Sequence, residues 1–362
     1  MRRPLRVSAL AAAALGILVL AAPAFATVRH VHPGQSIQSA IDASHPGDTV
    51  KVAAGVYHQN LTITTDHITL WGAGGGRHGT VLKPRRHPIG SPCTSRDGSL
   101  VSVNGICAVG RFDPATGDPA APIDGTTVHG FRVVGFSASG ITFFNDAHTV
   151  VSGNRTIGNA EYGIAAFVND HITYTHNVAT GSEEAGFYIG DSPDAEAVVT
   201  HNTASGNLFG FFFRDSQHGL FARNFAKGNC VGIMTLDTGA PGAEGFVEIR
   251  QNRVFHNQKA CPPGEGPALS GIGILLLGTT NANVWGNRVT KNQPSGPSFV
   301  TGGIVVHSAG IVAGADPTSN VVTGNFVHRN LSRDLKYDGT GSGNTFTGND
   351  CSTSHPDGLC LG

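Results

Sequence analysis

Three aspartates recur in register along the chain. Asp191, Asp215 and Asp237 each stand five residues after a glycine, in "GFYIGD", "GFFFRD" and "GIMTLD", and Arg214 directly precedes the middle one. If these segments stack at the inter-strand distance of about 4.8 Å, three carboxylates repel unless a cation or protons intervene. Calcium, which takes several oxygen ligands, would relieve the repulsion and is the cofactor this column suits. A close carboxylate pair also suits acid–base or nucleophilic work on a sugar. Arg214 suits pairing with the column or with an acidic substrate. The competing account is structural: aspartate favours turns through side-chain bonds to nearby backbone amides.

The elements that position these residues are repeats. "GNRTIGN" (Gly153), "HNTASGN" (His201), "RNFAKGN" (Arg223), "QNRVFHN" (Gln251), "GNRVTKN" (Gly286) and "GNFVHRN" (Gly324) share the form x-Asn-x4-Asn. Their first asparagines are Asn154, Asn202, Asn224, Asn252, Asn287 and Asn325; Asn177 fills the gap after Asn154, with Ser182 replacing its second asparagine. Successive spacings are 23, 25, 22, 28, 35 and 38 residues. A unit of this length built from short alternating segments is one coil of an all-β, right-handed parallel β-helix solenoid. Stacked coils place equivalent asparagines in a ladder inside a turn. The residues before them, His176, His201 and Arg223, form a further column.

A second motif follows each asparagine pair: glycine, then alternating apolar positions. Counting from the glycine, position +1 is Ile141, Ile164, Phe187, Phe211, Ile233, Ile274 and Ile304, and position +3 includes Phe143, Ile189, Phe213 and Leu276. One face of a strand carries every second residue, so +1 and +3 point inward. Position +2 (Tyr188, Phe212, Met234, Leu275 and Val305 among others) and position +4 (Phe144, Phe167, Arg214, Leu236, Leu277 and His307) then point outward. A large exposed apolar face marks a binding site, which makes Tyr188, Phe212 and His307 candidate substrate contacts. The alternative is a face covered by the chain's own insertions, Asn257–Gly271 and Asn292–Gly302.

The ends read differently. Arg2, Arg3 and Arg6, an apolar run from Ala9 to Ala22 and "AFA" at 24–26 form an export signal over residues 1–26. Residues 27–350 then form one β-helix domain. Ile37, Ala40 and Ile41 give a short N-terminal capping helix, and residues 80–125 form a long loop excursion. Residues 351–362 form a C-terminal tail. Six cysteines in an oxidising compartment suggest three disulfides. Sequence order proposes Cys93–Cys107, Cys230–Cys261 and Cys351–Cys360, although 15 pairings exist. A net charge of −1, with 14% of residues charged, leaves no basic stripe for nucleic acid. No membrane span is expected after signal removal, and a monomer is expected.

The opening "PGQSIQSAIDAS", the later "ITLWGAGGG" and the repeats together resemble the pectin-lyase-like superfamily, which includes pectate lyases, polygalacturonases and alginate epimerases. The resemblance spans about Val28 to Asn349. It implies a secreted protein that binds, and in the enzymes cleaves, an acidic polysaccharide. By analogy with pectate lyases, Asp191, Asp215 and Asp237 would hold calcium and Arg214 would act on the substrate. The Asp-Asp with Gly-His-Gly of polygalacturonases and the Asp-Pro-His of alginate epimerases do not occur here. If the chain is an enzyme, a polysaccharide lyase or glycoside hydrolase is implied. The other reading is a non-catalytic extracellular or cell-surface interaction module.

Overall fold

The computed structural model describes residues 26–360 except 89, 98–99, 241–244 and 265, so the export segment lies outside the described residues. No helix among them is long and apolar enough to cross a membrane. The chain winds as a right-handed parallel β-helix through three sheets of 12, 11 and 11 strands. One coil runs Ala197–Thr200 in the first sheet, Thr203–Ser205 in the second and Phe209–Arg214 in the third, and re-enters the first at Gln217–Ala222. Each strand pairs in parallel with its counterpart one coil away, so that Tyr188, Phe212 and Met234 stand in one column.

The paired asparagines sit at the two corners flanking the second sheet. Asn154 and Asn159, for example, bracket the three-residue strand Arg155–Ile157. At the first corner the backbone N–H and side-chain amide of Asn154 both donate to Asn177 Oδ1 (3.0 and 3.1 Å), and the amide also reaches Val128 O (2.9 Å). The same bonds repeat from coil to coil as far as Asn349. The second corner repeats the scheme from Asn207 to Asn330, whose backbone and amide N–H groups meet Asp334 Oδ1. A third ladder of shorter side chains lines the corner after the third sheet, where Asn169 N–H donates to Ser192 Oγ and Ser192 N–H to Ser216 Oγ.

Sharp corners need a left-handed backbone residue. His176, His201, Arg223 and Gln251, with φ of 54 to 57°, precede the first-corner asparagines, as Gly153 and Gly286 do elsewhere. The histidine–arginine column is therefore this turn position, with the His176 and His201 rings stacked 5.0 Å apart. At Gly210 the coils approach so closely that a Cβ would collide with the carbonyl of Gly232.

Positions +1 and +3 fill the interior, as the alternation requires. Phe211 and Phe213 are fully buried, and Phe187 and Phe211 stack at 4.9 Å. Position +2 does not face water. Tyr188, Phe212, Met234, Leu275 and Val305 lie in a second apolar cluster outside the third sheet, together with Cys230, Cys261, Leu269 and Val300. The insertions 257–271 and 292–302 supply these covering residues. The first is tied by the Cys230–Cys261 disulfide and by a reciprocal backbone pair between Cys261 and Leu269.

The capping helix covers Ile37–Asp42, with Ile37 and Ile41 buried and the Ser36 side chain accepting from Ser39 N–H. All three disulfides form as sequence order proposed. Two boundaries differ from expectation. The stretch 80–125 is no simple excursion: Ile106–Val109 is a full third-sheet strand paired with Leu61–Ile63 and Ile141–Phe144. Antiparallel hairpins flank it on both sides. At the other end, Ser354–His355 still pairs in the third sheet, inside the stretch assigned to the tail.

One interior group lacks the partners its surroundings demand. Asp146 is 1% exposed, and neither carboxyl oxygen has a protein hydrogen-bond partner. Burial pushes its pKa to about 7, opposed by the nearby Thr126 and Thr149 hydroxyls. A carboxyl that titrates higher in the folded than in the unfolded chain binds extra protons in the fold. Stability must then fall as pH rises from about 4 to about 7, by a few kcal/mol at about 1.4 kcal/mol per pH unit. Thermal melts should show the melting temperature dropping across that window. Asp146→Asn should flatten the drop and be more stable than the parent at pH 8; an unchanged slope would refute this assignment.

Candidate functional site

Five of the seven Gly-started strands end in a turn whose residue at +5 adopts a left-handed backbone; Asp237 and Ser308 do not. Asn145, Val168, Asp191 and Asp215 have φ between 47 and 56°, and Gly278 has 72°. Asparagine, aspartate and glycine tolerate this conformation best, which accounts for the aspartates at 191 and 215 without invoking a metal.

The three aspartates have separate environments. Asp215 is 1% exposed. It accepts Thr238 N–H at Oδ1 (2.8 Å), and Thr238 Oγ1–H (2.7 Å) and Arg214 Nε–H (3.0 Å) at Oδ2. Asp237 closes a side-chain turn onto Gly239 N–H at 2.6 Å and is buried. Asp191 is exposed; partial burial still pushes its carboxyl upward, with Arg214 opposing and Asp215 adding to the rise. Among the described residues no three His, Cys, Asp or Glu side chains converge as a metal site needs. Arg214 stands as the cation beside Asp191 and Asp215.

Around Arg214 a different cluster gathers. Its guanidinium reaches the Tyr188 phenol, whose pKa burial raises, and the carboxylates of Asp215 and Asp191 oppose the downward pull of burial on Arg214 itself. Gly190 leaves the space that Tyr188 Oη fills; a Cβ there would collide with it. Tyr162 lies 4.5 Å from the Tyr188 ring, centroid to centroid, and 5.8 Å from Phe167. Phe167 stacks on Phe144 at 5.0 Å. Tyr162, Phe144 and Phe167 remain partly accessible.

The open part of the third sheet is thus the row Phe144, Phe167 and Arg214, with Asp191 at its edge. Beyond it Leu236 and Leu277 are buried against Ala309 and Val312. Of the expected substrate contacts, Tyr188 and Phe212 cannot stack on a sugar, since both are buried. The apolar insertions claim Phe212, and Tyr162 and Phe167 close over Tyr188. His307 pairs with Asp338 (3.2 Å) and Phe299. It stands three coils from Arg214, or roughly 14 Å at the inter-strand spacing, and does not join the cluster. Tyr162 and the accessible Phe144 and Phe167 went unassigned from sequence, although both phenylalanines occupy position +4.

The absence of a basic stripe is also corrected. Arg253, Arg288, Lys291 and Arg329 line the outer side of the second sheet and are all exposed.

Residues 115–212 and 139–327 match the family model for the right-handed β-helix region. The A-module of mannuronan C-5 epimerase AlgE4 from Azotobacter vinelandii aligns with a TM-score of 0.57 at 18% identity, over 88% of this chain and 84% of that one. The AlgE6 A-module of the same organism aligns at 0.52 and 16%, over 86% and 88%. The Dettilon tailspike protein aligns at 0.56 and 12%, over 91% of this chain and 60% of that one. At such identities the likeness establishes the fold alone. No curated protein sequence matches the chain.

Asp215→Asn should keep an acceptor for Thr238 N–H and lose the charge facing Arg214, at a cost of roughly 1–2 kcal/mol. Calcium and chelator should leave the melting temperatures of parent and variant alike unchanged. A calcium-dependent rise in the parent that Asp215→Asn removes would restore the metal reading.

Proposed function

Because the chain belongs to the right-handed β-helix family, we propose that it is an exported protein that holds an extended acidic polysaccharide across the open part of its third sheet. The observation that carries this reading is the row of accessible Phe144 and Phe167 rings leading to Arg214, with Asp191 and the Tyr188 phenol beside it. Ring faces suit the C–H surface of a pyranose. With Nε committed to Asp215, the rest of the guanidinium fork is left for the phenol and a sugar carboxylate. The mannuronan C-5 epimerase A-modules, which share the fold, act on a polymer of this class.

Acting on the bound chain would require a group that moves a proton next to Arg214. Asp191, exposed and with its carboxyl raised, is the titratable group in that position. Lyase chemistry is the reaction this set suits best: Arg214 would neutralise the sugar carboxylate while the ionised Asp191 takes the proton beside it, the C–H electron pair forms the double bond, the glycosidic C–O bond breaks, and the departing oxygen is protonated by water.

Affinity electrophoresis of the mature protein through gels containing mannuronate or galacturonate polymers tests the binding. The parent should be retarded, and Arg214→Ala and Phe167→Ala should each reduce the retardation at least fivefold. A neutral glucan should have no effect. Unaltered retardation of both variants removes this site from the reading. Release of unsaturated ends from the same polymers, lost in Arg214→Ala, would add catalysis to binding.

A further inference from the structure

The outer side of the second sheet carries a groove of about 640 Å³ that neither the third-sheet site nor the family match assigns. Its floor is one column of the sheet, Arg253, Arg288 and Phe326, which pair directly in register. Its rim is the corner position before the second asparagine of each coil. In four earlier coils that position is glycine, at Gly158, Gly181, Gly206 and Gly228, with φ of 57 to 72°. In the last three coils of the groove it is His256, Lys291 and Arg329, held at φ of 51, 57 and 60°.

A left-handed backbone disfavours any side chain with a Cβ. Side chains occupy such corners elsewhere, at His176, His201 and Arg223, so the conformation alone marks no site; what distinguishes these three consecutive coils is that each presents a nitrogen-bearing side chain to the same groove. Among the described residues none of Arg253, Arg288, Lys291 and Arg329 makes an ion pair. The Arg288 guanidinium carbon lies over the Phe326 ring, 4.1 Å from its centre, which holds the charge at the groove.

We propose that this groove is a second, independent binding site for a carboxylated or sulfated polysaccharide, laid along the helix axis. The argument is charge complementarity with a period. Cationic side chains recur once per coil, about 4.8 Å apart, a rise comparable with the length of one pyranose residue, so a glycan with one anionic group per sugar meets one coil per residue. Phe326 and Phe255 offer ring surface between the charges. Duplex nucleic acid fits less well. It carries a charge every ~1.7 Å, and the groove is three coils long in a chain of net charge −1.

The corner geometry supplies a test that misfolding does not confound. The triple variant His256→Gly, Lys291→Gly and Arg329→Gly restores the residue found in the earlier coils, so its melting temperature should equal or exceed that of the parent. Binding of polygalacturonate and of heparin to the mature protein is measured by calorimetric titration at low and moderate salt. The parent should bind both, more weakly as salt rises. The triple variant should lose at least tenfold in heparin affinity, and Arg288→Ala should weaken heparin binding on an unchanged fold. Arg214→Ala should retain heparin binding in full and keep only the groove's smaller share of polygalacturonate binding, which separates the groove from the third-sheet site. Undiminished heparin binding by the triple variant overturns the proposal, as does equal binding of a neutral glucan. Tighter binding of a single-stranded oligonucleotide than of either glycan would replace the polysaccharide with nucleic acid and likewise overturn it.

Discussion

A buried backbone amide at a tight corner must find an acceptor, and each coil finds it in the side chain of the next. One asparagine oxygen takes both the backbone and the side-chain N–H of its neighbour, as Asn177 does for Asn154. The energetic weight lies in the alternative, because each donor left unsatisfied inside the corner would cost about 1–3 kcal/mol. The ladder thereby fixes several things together. It holds coils at strand spacing, brackets the second-sheet strands at three residues, and requires a left-handed residue ahead of each asparagine. Coil-to-coil registry is settled at the corners, and the strands between them follow.

That division leaves the outside free to vary along the axis. In every Gly-started third-sheet strand positions +1 and +3 are buried, yet the outer side changes from open at Phe144 and Phe167 to clad at Leu275 and Val305. The second sheet changes in the opposite sense, from glycine corners with few charges to corners that carry His256, Lys291 and Arg329. The two candidate surfaces belong to different sheets and to largely different coils, and the interior packing is common to both.

What could be read from sequence follows from what repeats. The asparagine pairs, the inward column through Phe211 and Phe213, and the cysteine pairings were legible because periodicity or covalent chemistry forces them. The cladding was not. Phe212 and Leu275 look the same at position +2 whether water or a loop lies over them, and Leu269 and Val300 sit in insertions without a period. The aspartate column carries two readings, because Asp191 and Asp215 also satisfy a backbone conformation that no residue list displays. Ile106–Val109 was hidden because two hairpins separate it from the rest of its coil. The cationic groove was hidden by dilution: Arg253 and Arg288 are 35 residues apart in a nearly neutral chain and become neighbours only on stacking.

The insertion over the third sheet is held at both of its feet. Cys261 is bonded through sulfur to Cys230 at a corner of the coil stack. Leu269 exchanges backbone bonds with Cys261 at 2.9 and 3.1 Å, and Ser270 Oγ–H donates to Gln258 O. A protease that severed the tip between residues 262 and 268 would therefore create two new chain ends without releasing either. Leu269 would stay seated on the apolar sheet, and the nicked molecule would remain soluble and intact in outline. Such a tether turns peptide-bond cleavage at the surface from a route to unfolding into a scar.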